Sequence, residues 1–338
     1  MVNDRFVGIL DKSLNRRVFI QASAAGSLSL ALSRNTTGAI RNLDKPVRIG
    51  VIADLHHDVM HDGVERVEAF VKKMKNVEPD ALLQLGDFAY PNAKNRDVIE
   101  LFNRANQQTL HVIGNHDTDS GHTKQQCLDL WGMPKRYYTQ NIEGLQLVVL
   151  DGNDKGSPTH KGGYPSFIGK EQVAWLKEQL ATLSGPMMVV CHQPLAGVAA
   201  VDNADEIQTL LAASADKVVL VINGHSHIDD VLQVKNVTYM HVNSASYKWV
   251  GGAYQHESYS QQIHKEYPWI SYTCPYRDSL FATLTFDPQS LSIRVEGRDS
   301  EWVGKTPKQL GVKLDPKLTH GEEVSPVIRD RSLSRSTK

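Results

Sequence analysis

Short apolar runs alternate with amphipathic stretches through the middle of the chain. Val47–Ala53, Ala81–Leu85, Thr109–Ile113, Leu145–Leu150, Pro186–Cys191 and Val218–Ile222 are mostly apolar and most run into polar residues, the pattern of short strands buried on both faces. Between them, Gly63–Asn76 carries Val64, Val67, Val71 and Met74 at helical spacing, and Lys170–Ser184 does the same with Val173, Leu176 and Leu180. Asp97–Asn106 and Ala204–Ala213 read as further helices. Later, Val231–Val234, Thr238–Val242, Leu280–Phe286 and Leu291–Glu296 read as strands of meander or hairpin type, with Asp287–Ser290 as the turn between the last two. The alternation predicts an α/β domain over about residues 45–305. Its polar clusters fall at the C-terminal ends of strands, where open α/β sheets bind ligands. Beyond about Lys308 the chain turns polar and charged, with a Ser/Arg-rich end, and residues 308–338 read as a mobile tail.

The first 39 residues have a different character. Arg16-Arg17 precede Phe19 and a weakly apolar run from Val18 to Leu32, interrupted by Gln21, Ser23, Ser27 and Ser29. The run is shorter and more polar than a membrane span of about 20 residues. It resembles a twin-arginine export signal, which implies the export machinery as a partner and a periplasmic or extracellular location, tethered if the signal is retained. Changing Arg16-Arg17 to Lys-Lys is expected to trap the protein inside the cell; unchanged export in a fractionation assay contradicts the reading.

Composition narrows the chemistry. At 338 residues, 41% hydrophobic and 22% charged, the chain has the make-up of a soluble globular protein. A net charge of −1 gives no reason to expect a nucleic-acid polymer as partner. The three cysteines, Cys127, Cys191 and Cys274, form no C-x-x-C pair, which argues against a disulfide framework or a zinc–thiolate site. They read as buried free thiols.

The histidines carry the signal. Five clusters follow five expected strands: Asp54-Leu55-His56, Gly86-Asp87, Gly114-Asn115-His116-Asp117, His192, and Gly224-His225-Ser226-His227. Any one of them is ordinary, since an Asp after a strand is commonly a cap or turn residue. Together they supply carboxylate, imidazole and amide oxygen donors without thiolate, a set suited to Fe, Mn or Zn. Gly86, Gly114 and Gly224 are expected to permit sharp turns where these side chains converge.

In order and spacing these clusters resemble the D-x-H, G-D, G-N-H-[DE], H and G-H-x-H motifs of the calcineurin-like metallophosphoesterase superfamily. The resemblance covers about residues 47–245. It implies a four-layer sandwich of two mixed β-sheets with helices outside, and two divalent or trivalent metal ions. It also implies Asp54, His56 and His227 as ligands of the first ion, Asn115, His192 and His225 of the second, and Asp87 as the bridge. His116 would face the substrate as proton donor or charge stabiliser, and a hydroxide shared by the ions would attack phosphorus. Asp117 is expected either to orient His116 or to cap the following segment.

Leu150-Asp151, Gly162-Gly163-Tyr164 and Gly169–Leu176, with its Glu171-Gln172 and Trp175-Leu176, resemble a segment common among cyclic-nucleotide phosphodiesterases and purple acid phosphatases. Gly86-Asp87-Phe88-Ala89-Tyr90 departs from the protein-phosphatase pattern. Tyr90 has the spacing of the iron-binding tyrosine of purple acid phosphatases, yet those enzymes lack the histidine equivalent to His56. The sequence therefore favours His56 as ligand and Tyr90 as a neighbour. His57 and Asp58 read as rim residues. Residues 244–278 are rich in Tyr, Trp and His and read as an insertion, either packing on the sandwich or forming a lid or specificity loop. Three functions follow: a phosphodiesterase acting on small, possibly nucleotide, esters; a nonspecific exported phosphomonoesterase; and a non-catalytic metal-binding scaffold.

Overall fold

Two mixed β-sheets lie face to face with helices on their outer sides. The computed structural model describes residues 28–32 and 38–335, so Arg16-Arg17 fall outside the described residues. The first sheet has seven strands. It is built from β1 (Leu28–Leu32), β2 (Val47–Ile52), β3 (Ala81–Gln84), β4 (Thr109–His111), β13 (Ala282–Asp287), β14 (Ser292–Glu296) and β17 (Arg331–Arg335), in the order β1-β17-β14-β13-β2-β3-β4. The second has six: β5 (Tyr138–Ile142), β6 (Leu145–Leu150), β7 (Met187–Cys191), β8 (Val218–Asn223), β9 (Asp230–Val234) and β10 (Val237–His241), in the order β5-β6-β7-β8-β10-β9. In the second sheet a parallel centre is flanked by antiparallel edge strands, whereas in the first a parallel block, β2-β3-β4, is joined through antiparallel β13 and β14 to the parallel pair β17 and β1.

Side-chain parity makes the layers. On β6, Leu147 and Val149 join the core between the sheets, while Val148 and Leu150 face the other way. The second set packs with Val173, Leu176 and Leu180 of α4 (Lys170–Thr182) and Ile207 and Leu211 of α5 (Ala204–Ala213). Successive strand residues point to opposite faces, so a strand covered on both faces needs the unbroken apolar run seen in the sequence. On the first sheet, α1 (Gly63–Val77) buries Val67, Phe70, Val71 and Met74. Gly50 on β2 allows this close approach, because a Cβ there would strike Met74 and Leu82. Next to it stands α2 (Arg96–Asn103), followed along the chain by α3 (Lys124–Trp131). Among the described residues no helix is long and apolar enough to cross a membrane.

One region departs from the sequence expectation. The tail is structured. β16 (Val327–Ile328) pairs with β15 (Arg298–Asp299), and β17 joins the first sheet beside β14. Fully buried Asp229 accepts hydrogen bonds from Arg331 at 2.6 and 2.7 Å and from Arg329 at 2.7 Å. The aromatic segment forms a two-stranded ribbon, β11 (Tyr247–Trp249) with β12 (Thr273–Pro275), closed by α6 (Gln261–Glu266) and a 3₁₀ turn at Pro268–Tyr272. Arg66 of α1 anchors this ribbon, donating to the Ala245 and Tyr276 carbonyls while pairing with Asp62. The three cysteines are buried and unpaired.

Candidate metal centre

The five polar clusters meet at one end of the two sheets. Asp54 and His56 follow β2, Asp87 follows β3, Asn115 and His116 follow β4, His192 follows β7, and His225 and His227 follow β8. Ligand atoms of Asp54, His56 and His227 lie within 4.8 Å of one another, and those of Asp87, His192 and His225 form a second such group. The two groups touch: His192 Nε2 is 3.1 Å from Asp87 and 4.0 Å from Asp54. His56 Nε2 is 3.2 Å from His227 Nε2, His192 Nε2 is 3.3 Å from His225 Nδ1, and Asn115 Oδ1 is 3.2 Å from His192 Nε2. Donors bound to one ion at about 2.0–2.2 Å stand at this kind of mutual separation.

The backbone is bent to make this happen. Asp54, His56, Asp87, His225 and His227 all have φ between 48° and 64°, a left-handed conformation that non-glycine residues seldom adopt and that gathers at functional sites. The turns are thus made largely by the donor residues themselves. Gly86 alone of the three motif glycines has positive φ. Gly114 and Gly224 are needed for space, since a Cβ on either would collide with the carboxylate of Asp87 or Asp54, respectively.

Electrostatics call for cations. Asp54 and Asp87 are 1% and 3% exposed, and two buried carboxylates this close need compensating charge. Burial disfavours their ionisation, but the facing His227 and His192 outweigh it and keep both carboxyls below the usual range. Burial pushes His56 and His225 down to about 3, leaving them neutral, the metal-binding form. His192 is raised to about 9 against its burial by Asp87 and Asp54, another sign that the pocket attracts positive charge. The far ring nitrogens are tied down: His192 Nδ1 to the Leu85 carbonyl at 2.8 Å and His227 Nδ1 to the Tyr247 carbonyl at 2.7 Å. Each leaves Nε2 with its lone pair toward the centre. The donor set, its spacing and its orientation fit two metal ions.

The family model for calcineurin-like phosphoesterases matches residues 47–229. The chain belongs to that family. It is accordingly a hydrolase of phosphoric esters with a metal-dependent centre. A comparison with curated proteins finds no sequence match. Among solved structures, this phosphoesterase is similar in fold to a dimetal phosphatase from Danio rerio (TM-score 0.55, 14% identity, 87% of this chain and 100% of that one). It is also similar to GAP50, the anchor in the inner membrane complex of Plasmodium (TM-score 0.53, 15% identity, 87% and 90%). A third likeness is to the purple acid phosphatase PPD1 of yellow lupin seeds (TM-score 0.51, 10% identity, 86% and 54%).

Around the centre, one expected role moves to another residue. Asp117 does not orient His116. Its buried carboxylate accepts the backbone N–H groups of Gly114, Asp87 and Phe88 at 2.7–2.9 Å, stitching two of the donor loops together. Burial and the Asp87 charge push it up to about 8, opposed by these N–H donors. Asp119 takes the place expected of Asp117: its carboxylate is 2.8 Å from His116 Nδ1 and accepts the Tyr164 hydroxyl at 2.8 Å. The His116 ring is 39% exposed and stands 5.3 Å from that of His56. Burial lowers its pKa, but Asp87 and Asp119 more than restore it. Nothing in the sequence separates Asp119 from Asp117, and Tyr164 arrives from a loop 48 residues beyond His116.

Tyr90 lines the cleft with His56 and His116. Its ring lies 5.3 Å from that of His122, and burial raises its phenol to about 12. Asp58 holds that loop, accepting from Tyr90 N and Asn95. Tyr247, inside the aromatic ribbon, is fully buried and stacks on His56 at 5.0 Å. Trp175 packs against Tyr137, away from the centre.

Proposed function

We propose that this phosphoesterase hydrolyses small phosphodiesters at a dinuclear centre. Asp54, His56 and His227 would hold one ion and Asn115, His192 and His225 the other, with Asp87 as the shared carboxylate. The observation that carries the reading is the convergence of these seven donors from five strand ends, most of them on strained backbone. Two ions bound there supply Lewis-acid activation of water and charge neutralisation on the phosphoryl oxygens.

The remaining steps belong to the chain. Asp87 accepts the His116 backbone N–H at 2.8 Å, which fixes His116 beside the centre. With Nδ1 committed to Asp119, His116 presents Nε2 to the departing oxygen and donates a proton to it. Such general-acid help is typically worth 10²–10⁴-fold. Asp119 is a positioning residue for that ring. Asp119→Ala is expected to lower kcat about 10-fold or more on esters with poor, alkyl leaving groups and much less on p-nitrophenyl esters, whose leaving group needs no proton. Equal losses on both, or loss of bound metal, contradict this role.

Charge supports a diester over a monoester. Beside His116 the cleft is lined by His56, Asp58, Val59, Asp87, Phe88, Ala89, Tyr90 and Asp117, with no Lys or Arg among them, and the partly buried Lys248, near enough to feel Asp54, has its ammonium bound to the Ser226 carbonyl at 2.8 Å. A phosphomonoester brings a charge of about −1.5 to −2 at neutral pH, whereas a diester brings a single one. The deciding assay compares bis-p-nitrophenyl phosphate with p-nitrophenyl phosphate in the presence of Mn, Fe or Zn. Higher kcat/KM on the diester is expected. Preference for the monoester would favour a nonspecific phosphatase, and no turnover of either by metal-loaded protein would favour a scaffold.

A further inference from the structure

The aromatic ribbon carries rings in two settings on one face. Tyr247 and Trp249 are two residues apart on β11, so both side chains leave the same face of the strand. Tyr247 is fully buried between the centre and the ribbon, with ring centroids 5.0 Å from His56 and 5.1 Å from His227. Trp249 is one ring further out, 6.4 Å from Tyr247, and its residue is 43% exposed. Behind it Tyr272 lies almost parallel, at 5.6 Å and 12°, and Trp269 leans on Tyr272 at 5.1 Å while remaining 54% exposed.

The platform is braced. Val250 and Gly251 donate their N–H groups to the Tyr272 carbonyl, and Trp249 pairs with Thr273 across the ribbon. Elsewhere large aromatic residues such as Trp131, Tyr239 and Tyr276 are fully buried. Among the described residues, the large hydrophobics left exposed are Val64, Tyr164, Trp249 and Trp269. Tyr164 touches His116, and Trp249 connects to His56 through a single intervening ring. Exposed aromatic area is thus concentrated around the catalytic end, where a rigid indole presents a flat, apolar face at little entropic cost.

We propose that Trp249, backed by Tyr272 and Trp269, is the stacking platform for the nucleobase of a nucleotide ester whose phosphate lies at the metal centre. The occupant is a planar ring attached to a phosphoester by a short linker. Two ring-to-ring steps of 5.0 and 6.4 Å separate the platform from His56, a span that a nucleoside bridges. Stacking has no hydrogen-bond requirement, so the platform selects nucleosides over ring-free alcohols without discriminating strongly among bases.

This inference rests on the phosphodiesterase reading, and binding and turnover test the two separately. Calorimetric titration of the metal-loaded full chain with AMP and with ribose 5-phosphate reports the platform without requiring catalysis. AMP is expected to bind more tightly, and Trp249→Ala to erase that advantage, a loss of roughly 5- to 150-fold for one stacked base. In turnover, Trp249→Ala is expected to lower by a similar factor the ratio of kcat/KM for a dinucleotide to that for glycerophosphoethanolamine, a diester without a ring. Equal affinities for AMP and ribose 5-phosphate in the wild type, or an AMP advantage that survives in Trp249→Ala and Trp269→Ala alike, would overturn the platform. Failure to hydrolyse any diester alongside selective AMP binding would instead remove the phosphodiesterase reading and leave a nucleotide-binding platform.

Discussion

Asp87→Asn is expected to lose metal and activity together. Asp87 is the carboxylate that reaches both donor groups: one oxygen lies 3.1 Å from His192 Nε2 and 3.7 Å from His56 Nε2, and the other accepts the His116 N–H. The amide keeps the size but removes the charge, and in one orientation it turns an N–H toward imidazole nitrogens arranged to face a cation. Removing groups that merely orient ligands costs about 10- to 100-fold in metal affinity or activity, so loss of a shared ligand should exceed that range. The fold should survive, because Asp87 sits past the end of β3. The matching control is His116→Ala, which should keep its metal and lose turnover on esters with poor leaving groups. Metal analysis beside diesterase assay separates the two. Asp87→Asn with full metal content, or full activity in His116→Ala, contradicts the assignment.

Asp229→Ala should be the most destabilising change outside the centre. Asp229 lies two residues beyond His227, is fully buried, and takes three charge-assisted hydrogen bonds from Arg331 and Arg329. Its own N–H is bound by the Glu323 carbonyl. This cluster ties the loop of His225 and His227 to the C-terminal strand. Asn243, just past β10, adds bonds to the Ser325 and Val327 carbonyls. Removing one partner of a buried ion pair costs about 3–5 kcal/mol, because the remaining charge is stranded, whereas replacing the whole cluster with apolar groups costs far less. Arg331, only 3% exposed, is the charge that would be stranded. Denaturant unfolding should therefore show a loss of that size for Asp229→Ala, smaller for the double change Asp229→Leu, Arg331→Met. A loss below about 1 kcal/mol in the single variant contradicts the clamp.

The tail illustrates what the sequence conceals. Burial alternates along Arg331–Leu333, with Arg331 and Leu333 buried and Ser332 less so, but one leucine among arginines and serines is a weak strand signal. The partner that makes Arg331 a core residue is 102 positions away. The same holds for Tyr138–Ile142, whose Thr139 and Asn141 mark an edge strand exposed on one face. The central strands were legible because burial on both faces leaves no room for polar residues. The donors were legible for a related reason: carboxylate, amide and imidazole side chains after several apolar strands point to chemistry at one sheet end. What could not be read was which neighbour serves which donor. Asp117 and Asp119 are alike in sequence, and the loop geometry turns the first onto three backbone N–H groups and the second onto His116. Nor did the motif glycines reveal that the donors themselves would carry most of the left-handed backbone.

The most direct test of a two-ion phosphoester hydrolase is metal content measured on the same preparation as activity. The full chain, loaded with Mn, Fe or Zn and freed of excess ion, should hold close to two ions per molecule and hydrolyse bis-p-nitrophenyl phosphate. Chelation should abolish both, and the added metal should restore both in parallel. Hydrolysis that persists after chelation, with less than one ion remaining per chain, would contradict the account.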